Sequence, residues 1–237
     1  MSSGFLVLLG TAASIGFLHV LLGPDHYLPF IVLSSAGKWS LRKTAVVTLL
    51  CGLGHVLSSA FIGMAGIALG IAVTQLEEVE SFRGSMAAWA LIAFGLLYGV
   101  WGLRRAWRNQ SHSHSHVHED GIPHTHGHVH THDHLHVHES QPSGGVAPWV
   151  LFTIFVFGPC EPLIPLVIYA AATASILGVV LLTVVFGVTT LLTMLAAVLL
   201  SSFGLKLLPV APLERYSHAL AGGILCLCGF AMEFLGM

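Results

Sequence analysis

The sequence predicts an all-α polytopic membrane protein: six transmembrane helices, arranged as two inverted three-helix repeats with broken first helices. Three observations lead there. Only 8% of the 237 residues are charged and 55% are hydrophobic, at a mean hydropathy of +0.83, whereas a soluble domain carries about 25% charged residues. Apolar runs long enough to cross a bilayer, about 20 residues each, recur at about 5–36, 44–73, 86–103, 146–173, 176–203 and 217–236. The first and fourth of these are over-long, and each contains a Gly-Pro pair.

A straight helix of 30 residues is about 45 Å long, more than the hydrocarbon core, so tilt or a break must absorb the excess. Pro24 and Pro159 supply the cause of a break, because proline lacks the backbone donor and clashes with the preceding turn. Each break has the same grammar. Gly23-Pro24-Asp25-His26-Tyr27-Leu28-Pro29 in the first run answers to Gly158-Pro159-Cys160-Glu161-Pro162-Leu163-Ile164-Pro165 in the fourth. With three spans per half, the second half enters from the opposite face, the inverted repeat of many membrane carriers. The expected organisation is a first repeat over 1–108, a linker over 109–145 and a second repeat over 146–237.

Orientation follows from the basic residues. Lys38, Arg42, Lys43, Arg104, Arg105, Arg108, Lys206 and Arg215 fall on one side, and Arg83 alone lies opposite, beside Glu77, Glu78 and Glu80. Positive charge stays cytoplasmic, which puts the linker in the cytosol of a multi-pass protein of the cytoplasmic membrane and both termini outside. The Met-Ser-Ser-Gly start lacks a basic signal-peptide n-region, so the first apolar segment is expected to be retained.

Ionisable groups at membrane depth are costly and read by default as functional. His19, Asp25 and His26 lie within eight residues of one another, and imidazole nitrogen with carboxylate oxygen suits a borderline divalent ion. His55 is the single histidine of the second run, among Gly52, Gly54, Ser58 and Ser59, and reads as a further ligand or a proton relay. At the second break Glu161 could carry metal or proton, and Cys160 is either a thiolate ligand or a small apolar filler. Structural readings are preferred elsewhere: His218 and Glu233 at the interfaces, Thr189, Thr190 and Thr193 as helix hydrogen-bonding groups, and Cys226 and Cys228 as packing.

The linker holds twelve of the sixteen histidines: His112, His114, His116, His118, His124, His126, His128, His130, His132, His134, His136 and His138. It has no apolar periodicity and is expected to be disordered without metal. Neutral imidazole is a ligand for Ni, Co, Zn and Cu, so the tract reads as a metal buffer. The net charge of −2 gives no case for nucleic acid, and the four cysteines form no CxxC pair. No nucleophile–base pair or phosphate loop points to an enzyme.

With those residues in view, the chain resembles the nickel/cobalt transporter superfamily, most closely its His-rich efflux branch. The likeness is carried by His19-x5-Asp25-His26, Gly54-His55-Val56, the basic exit Trp101 to Arg108, the His tract and Gly158 to Pro165. It implies a secondary transporter with no permanently bound cofactor. Ni²⁺ or Co²⁺, with Zn²⁺ also admissible, would be its substrate, recognised at His19, Asp25, His26 and His55 and faced by Glu161 and Cys160. Urease-accessory membrane proteins share the layout, which admits nickel uptake or a membrane-anchored metal store for enzyme assembly. A cytosolic metallochaperone and a second copy of the chain are the protein partners this reading allows. The Gly158-Pro159-Cys160-Glu161-Pro162 segment also looks like the membrane thiol–disulfide electron carriers of cytochrome maturation. Those use two cysteines, one per half, where this chain has Asp25 or His26 in the first.

Overall fold

The computed structural model describes residues 3–108, 112–117, 123–128, 145–207 and 211–236. The first apolar run folds as α1 (Ser3–Leu22), a 3₁₀ turn (Pro24–His26) and α2 (Leu28–Ala36). It is followed by α3 (Leu41–Leu69) and α4 (Val73–Arg108). The second half comprises α5 (Val146–Phe157), α6 (Leu163–Thr173), α7 (Ile176–Leu207), a 3₁₀ segment (Ala211–Tyr216) and α8 (Ser217–Leu235). Among the described residues, five stretches are long and apolar enough to cross a membrane: α1, α3, α4, Ile176–Leu205 and Glu214–Leu235. The 146–173 run is not one helix. It splits into α5 and α6, of 12 and 11 residues, because Gly158 is extended (φ −61°, ψ 135°) and Pro159 and Pro162 follow.

Local signals set the other boundaries. Ser40 caps α3 by accepting a hydrogen bond from the Lys43 amide at 3.2 Å, and Gly70 ends it in the left-handed region at φ 66°. The third span, expected at 86–103, begins at Val73. Its 36 residues make a helix about 54 Å long, so the acidic stretch before residue 86 is helical and partly enclosed rather than a loop.

The packing runs across the halves. α1 lies on α7, α2 on α7 and α8, α3 on α5, α6 and α7, and α4 on α8, α5 and α6. Exchanging first-half elements for their second-half counterparts reproduces these pairings except that of α4 with α5, whose counterpart, α1 with α8, is not packed in the same way. The tightest seam is α4 against α8, where a Cβ on Gly222 would stand 2.3 Å from the Gly99 amide nitrogen. Small residues let backbones approach in this way where packing must drive association. One buried cluster gathers Phe30, Leu33, Leu91, Leu151, Phe155 and Leu225, and another gathers Leu163, Val167, Leu182 and Phe186. The outer faces are apolar too, with Leu22, Phe61, Leu97, Trp149, Leu177 and Leu200 exposed, as a bundle surrounded by hydrocarbon requires.

Lys38 pairs with Glu214, and Arg215 Nε donates to the Ala106 carbonyl at 2.9 Å. The α2–α3 connection, the end of α4 and the start of α8 therefore share one end of the bundle. Within the His tract, expected to be without structure, β1 (His112–Val117) and β2 (Pro123–His128) form an antiparallel pair with His112 opposite His128 and His116 opposite His124. The tract histidines His118, His130, His132, His134, His136 and His138 lie outside the described residues.

Candidate functional site

The two breaks meet at one place. α1 ends at Leu22, one turn after His19, and Gly23 turns the chain at φ −97°, ψ 91° into the 3₁₀ turn that presents Asp25 and His26. The Gly23 position is sterically closed: a Cβ there would lie 2.7 Å from His26 Nδ1 and 2.9 Å from Asp25 Oδ1. α3 brings His55 from the other side. The ring centroids of His19 and His26 are 4.4 Å apart, those of His26 and His55 5.2 Å, and those of His19 and His55 6.2 Å. One nitrogen from each ring falls within 4.8 Å of the other two. His26 and His55 are buried and His19 half-buried, with Phe155 and Phe186 as aromatic neighbours.

Asp25 does not stand with the nitrogens as a fourth member. Its Oδ2 lies 3.1 Å from His26 Nδ1, which also faces the Gly23 carbonyl at 3.2 Å. The contact fixes the ring and leaves His26 Nε2 pointing inward. His26 Nε2, His55 Nε2 and Asp25 Oδ1 are buried without a hydrogen-bond partner, an uncommon condition for polar atoms in folded proteins. A cavity of about 780 Å³ opens onto the group, and His19, Asp25, His26 and His55 line it together with Glu161 and Glu233. Glu161 is exposed along that cavity and lies outside the tri-imidazole group.

From the second break comes Cys160. It is fully buried, and its Sγ lies 3.9 Å from His19 Nε2. Its amide donates to Ser59 Oγ at 3.0 Å and to Glu80 Oε2 at 3.2 Å. Ser59 Oγ in turn donates to Glu80 Oε2 at 3.0 Å, and Glu80 forms an ion pair with Arg83. Arg83 continues to Ser58 Oγ at 2.9 Å and to the Val156 carbonyl at 2.8 Å. Sequence reasoning placed Glu80 and Arg83 at the outer edge. The signal that could have found them is their i,i+3 spacing, which sets opposite charges on one helix face, opposite a span that carries Ser58-Ser59.

Of the remaining candidates, Thr190 Oγ1 is buried without a hydrogen-bond partner, while Glu233, His218, Thr189 and Thr193 have local ones. Glu233 accepts from Ser85 Oγ at 3.0 Å and Trp89 Nε1 at 3.1 Å, and His218 Nδ1 lies 2.8 Å from Tyr98 Oη. Thr189 and Thr193 donate to carbonyls of their own helix, four residues back. The four cysteines, Cys51, Cys160, Cys226 and Cys228, are all free and buried.

A polytopic helical bundle whose two broken spans and α3 bring a cysteine and three histidines together inside the apolar layer is a membrane protein with an internal site. The family model described as the cytochrome c biogenesis protein transmembrane region matches residues 28–232, and the chain belongs to that family. No curated protein and no solved structure matches it. The family corrects the resemblance to the nickel/cobalt transporter superfamily, and nickel/cobalt efflux falls with it. That likeness rested on a few short segments, and its principal one, His19-x5-Asp25-His26, carries an extra residue and lies ahead of the matched region. The likeness to the membrane carriers of cytochrome maturation, drawn from the second break, agrees with the family.

Proposed function

We propose that the protein is a membrane carrier of reducing equivalents that works by thiol–disulfide exchange at Cys160, with His19 as the proton acceptor. The observation that carries this is the 3.9 Å approach of Cys160 Sγ to His19 Nε2, at the point where the Gly-Pro-Cys break of the second half meets the first. The thiolate is the attacking species in such exchange, and the imidazole beside the sulfur takes the proton. The first half offers no second cysteine at its break, so the disulfide partner is another protein. Cys160 attacks that partner's disulfide, forming a mixed disulfide and releasing one partner thiol. A donor dithiol then attacks the Cys160 sulfur, freeing the second partner thiol. The donor's remaining thiol closes its own disulfide and restores Cys160 as the thiol. In sum one disulfide is reduced and one dithiol oxidised.

The finer architecture belongs to the same proposal. Six spans form two inverted repeats, a reading supported by a neighbour pattern that, the α4–α5 contact excepted, survives exchange of the halves. Rocking one half against the other would then expose Cys160 alternately to the two sides. The basic residues that surround the shared end at Lys38, Ala106 and Arg215 favour a cytosolic position for that end and for the His tract.

The test is thiol exchange across sealed vesicles carrying the protein, with a dithiol protein enclosed and a disulfide protein outside, read by thiol alkylation of the outer protein. Wild type reduces it. Cys160→Ser abolishes reduction, Cys51→Ser keeps it, and His19→Gln slows it at least tenfold. Undiminished reduction by Cys160→Ser overturns the proposal.

A further inference from the structure

The geometry points to a second property of the same interior, one that shares His19 with the thiol chemistry but does not use Cys160: His19, His26 and His55 form a binding site for one divalent transition-metal ion, with Asp25 as the carboxylate that orients His26. The three rings arrive from separate elements, the end of α1, the 3₁₀ turn and α3, so no local sequence requirement explains their convergence. Their candidate nitrogens lie within 4.8 Å of one another. Around a tetrahedral ion with bonds of about 2.0–2.1 Å, ligand nitrogens stand about 3.4 Å apart, so small ring rotations close the site.

The unpartnered atoms are the second observation. His26 Nε2 and His55 Nε2 are buried and bond to nothing in the protein. In His26 the other nitrogen is already committed to Asp25 Oδ2 at 3.1 Å. Metal-binding histidines characteristically hold a carboxylate on the nitrogen that does not bind the ion, which fixes the tautomer and strengthens the ligand. The steric closure at Gly23 holds Asp25 and His26 in that relation. The cavity of about 780 Å³ supplies the approach, and exposed Glu161 lines it with an oxygen donor for an incoming cation. Three imidazoles suit a borderline ion such as Zn²⁺ or Cu²⁺ and leave a fourth position open.

The experiment uses the full-length protein in detergent with the twelve tract histidines changed to glutamine, so that the interior site is read alone, and Zn²⁺ as the probe. Equilibrium dialysis with elemental analysis is expected to give one Zn²⁺ per chain. His26→Gln and His55→Gln each weaken binding at least a hundredfold, and Asp25→Asn weakens it about tenfold, within the 10–100-fold range of orienting partners. Cys160→Ser retains the ion, which separates this site from the thiol chemistry. X-ray absorption on the loaded protein reads the ligands without any interior substitution, and three imidazoles are expected. Absence of a stoichiometric ion, affinity unchanged in His26→Gln and His55→Gln, or an absorption spectrum without imidazole ligands overturns the inference.

Discussion

The two breaks begin with the same dipeptide and end in opposite states. At the first, Gly23-Pro24 releases a short turn whose side chains face inward and keep unpartnered atoms, His26 Nε2 and Asp25 Oδ1. At the second, Gly158-Pro159 releases a backbone that is immediately tied down: the Cys160 amide has two acceptors, and Arg83 holds the Val156 carbonyl just before it. Proline therefore opens the helix in both places, but neighbours decide what the opening is for. The first exposes side-chain donors to a cavity. The second fixes the position of one sulfur.

The comparison is broken most severely by removing the brace. Arg83→Met strips the cation from Glu80, which is 1% exposed, and leaves an uncompensated charge inside the bundle. Breaking a buried ion pair from one side costs about 3–5 kcal/mol. The loss should appear as a lower unfolding midpoint in a mixed-detergent titration. A double variant with Glu80→Gln should recover much of it, since the stranded charge is then gone. An Arg83→Met protein as stable as wild type would mean that the second break is held by packing alone.

At the first break the sensitive position is glycine. Gly23→Ala places a methyl within 3 Å of His26 Nδ1, Asp25 Oδ1 and the His19 carbonyl. Overpacking of this kind costs about 1–3 kcal/mol, less than the ion pair because side chains can shift. The same shift separates Asp25 from His26, so Zn²⁺ affinity should fall together with stability. Gly158→Ala, whose Cβ would meet the Phe155 carbonyl at 3.3 Å and His55 Nδ1 at 3.4 Å, should change both less, and equal effects at the two glycines would erase the distinction between the breaks.

How much of this was legible in the residues differs between the same two regions. Hydropathy and the paired Gly-Pro motifs carried the membrane class and both breaks, because proline acts locally. The beginning of α4 was not legible: Glu77, Glu78, Glu80 and Arg83 depress the hydropathy of the stretch, so a window finds the span only from residue 86. The charges that disguise the helix are partly those that brace the second break. Nor could spacing show that His55 joins His19 and His26, since that contact is made by α3 packing rather than by any interval along the chain. Asp25 looked like a ligand because it is adjacent to His26. In the fold that adjacency becomes a carboxylate–imidazole contact instead. The short His-x5-Asp-His motif pointed to metal transporters, while the family match spans residues 28–232 and leaves that motif outside it.

The smallest expected effect is also the sharpest probe of the brace. Ser59 Oγ accepts from the Cys160 amide and donates to Glu80 Oε2. Ser59→Ala removes both bonds and a longer one donated by Arg83 Nη1 at 3.5 Å, yet strands little: the Cys160 amide keeps Glu80 Oε2 at 3.2 Å, and Arg83 keeps Glu80. Hydrogen bonds between membrane helices contribute about 0.6 kcal/mol on average and about 1.7 at most, so a loss of about 1 kcal/mol is expected in the same titration. The functional consequence should exceed the stability cost, because the Cys160 backbone then hangs from one acceptor and the sulfur loses its fixed distance to His19. Thiol exchange by Ser59→Ala should drop while Zn²⁺ binding at the three histidines, two of them on the other break and His55 one turn before Ser59 on α3, stays at the wild-type level. A parallel fall in both would mean that the two breaks are one mechanical unit rather than a held one and an open one.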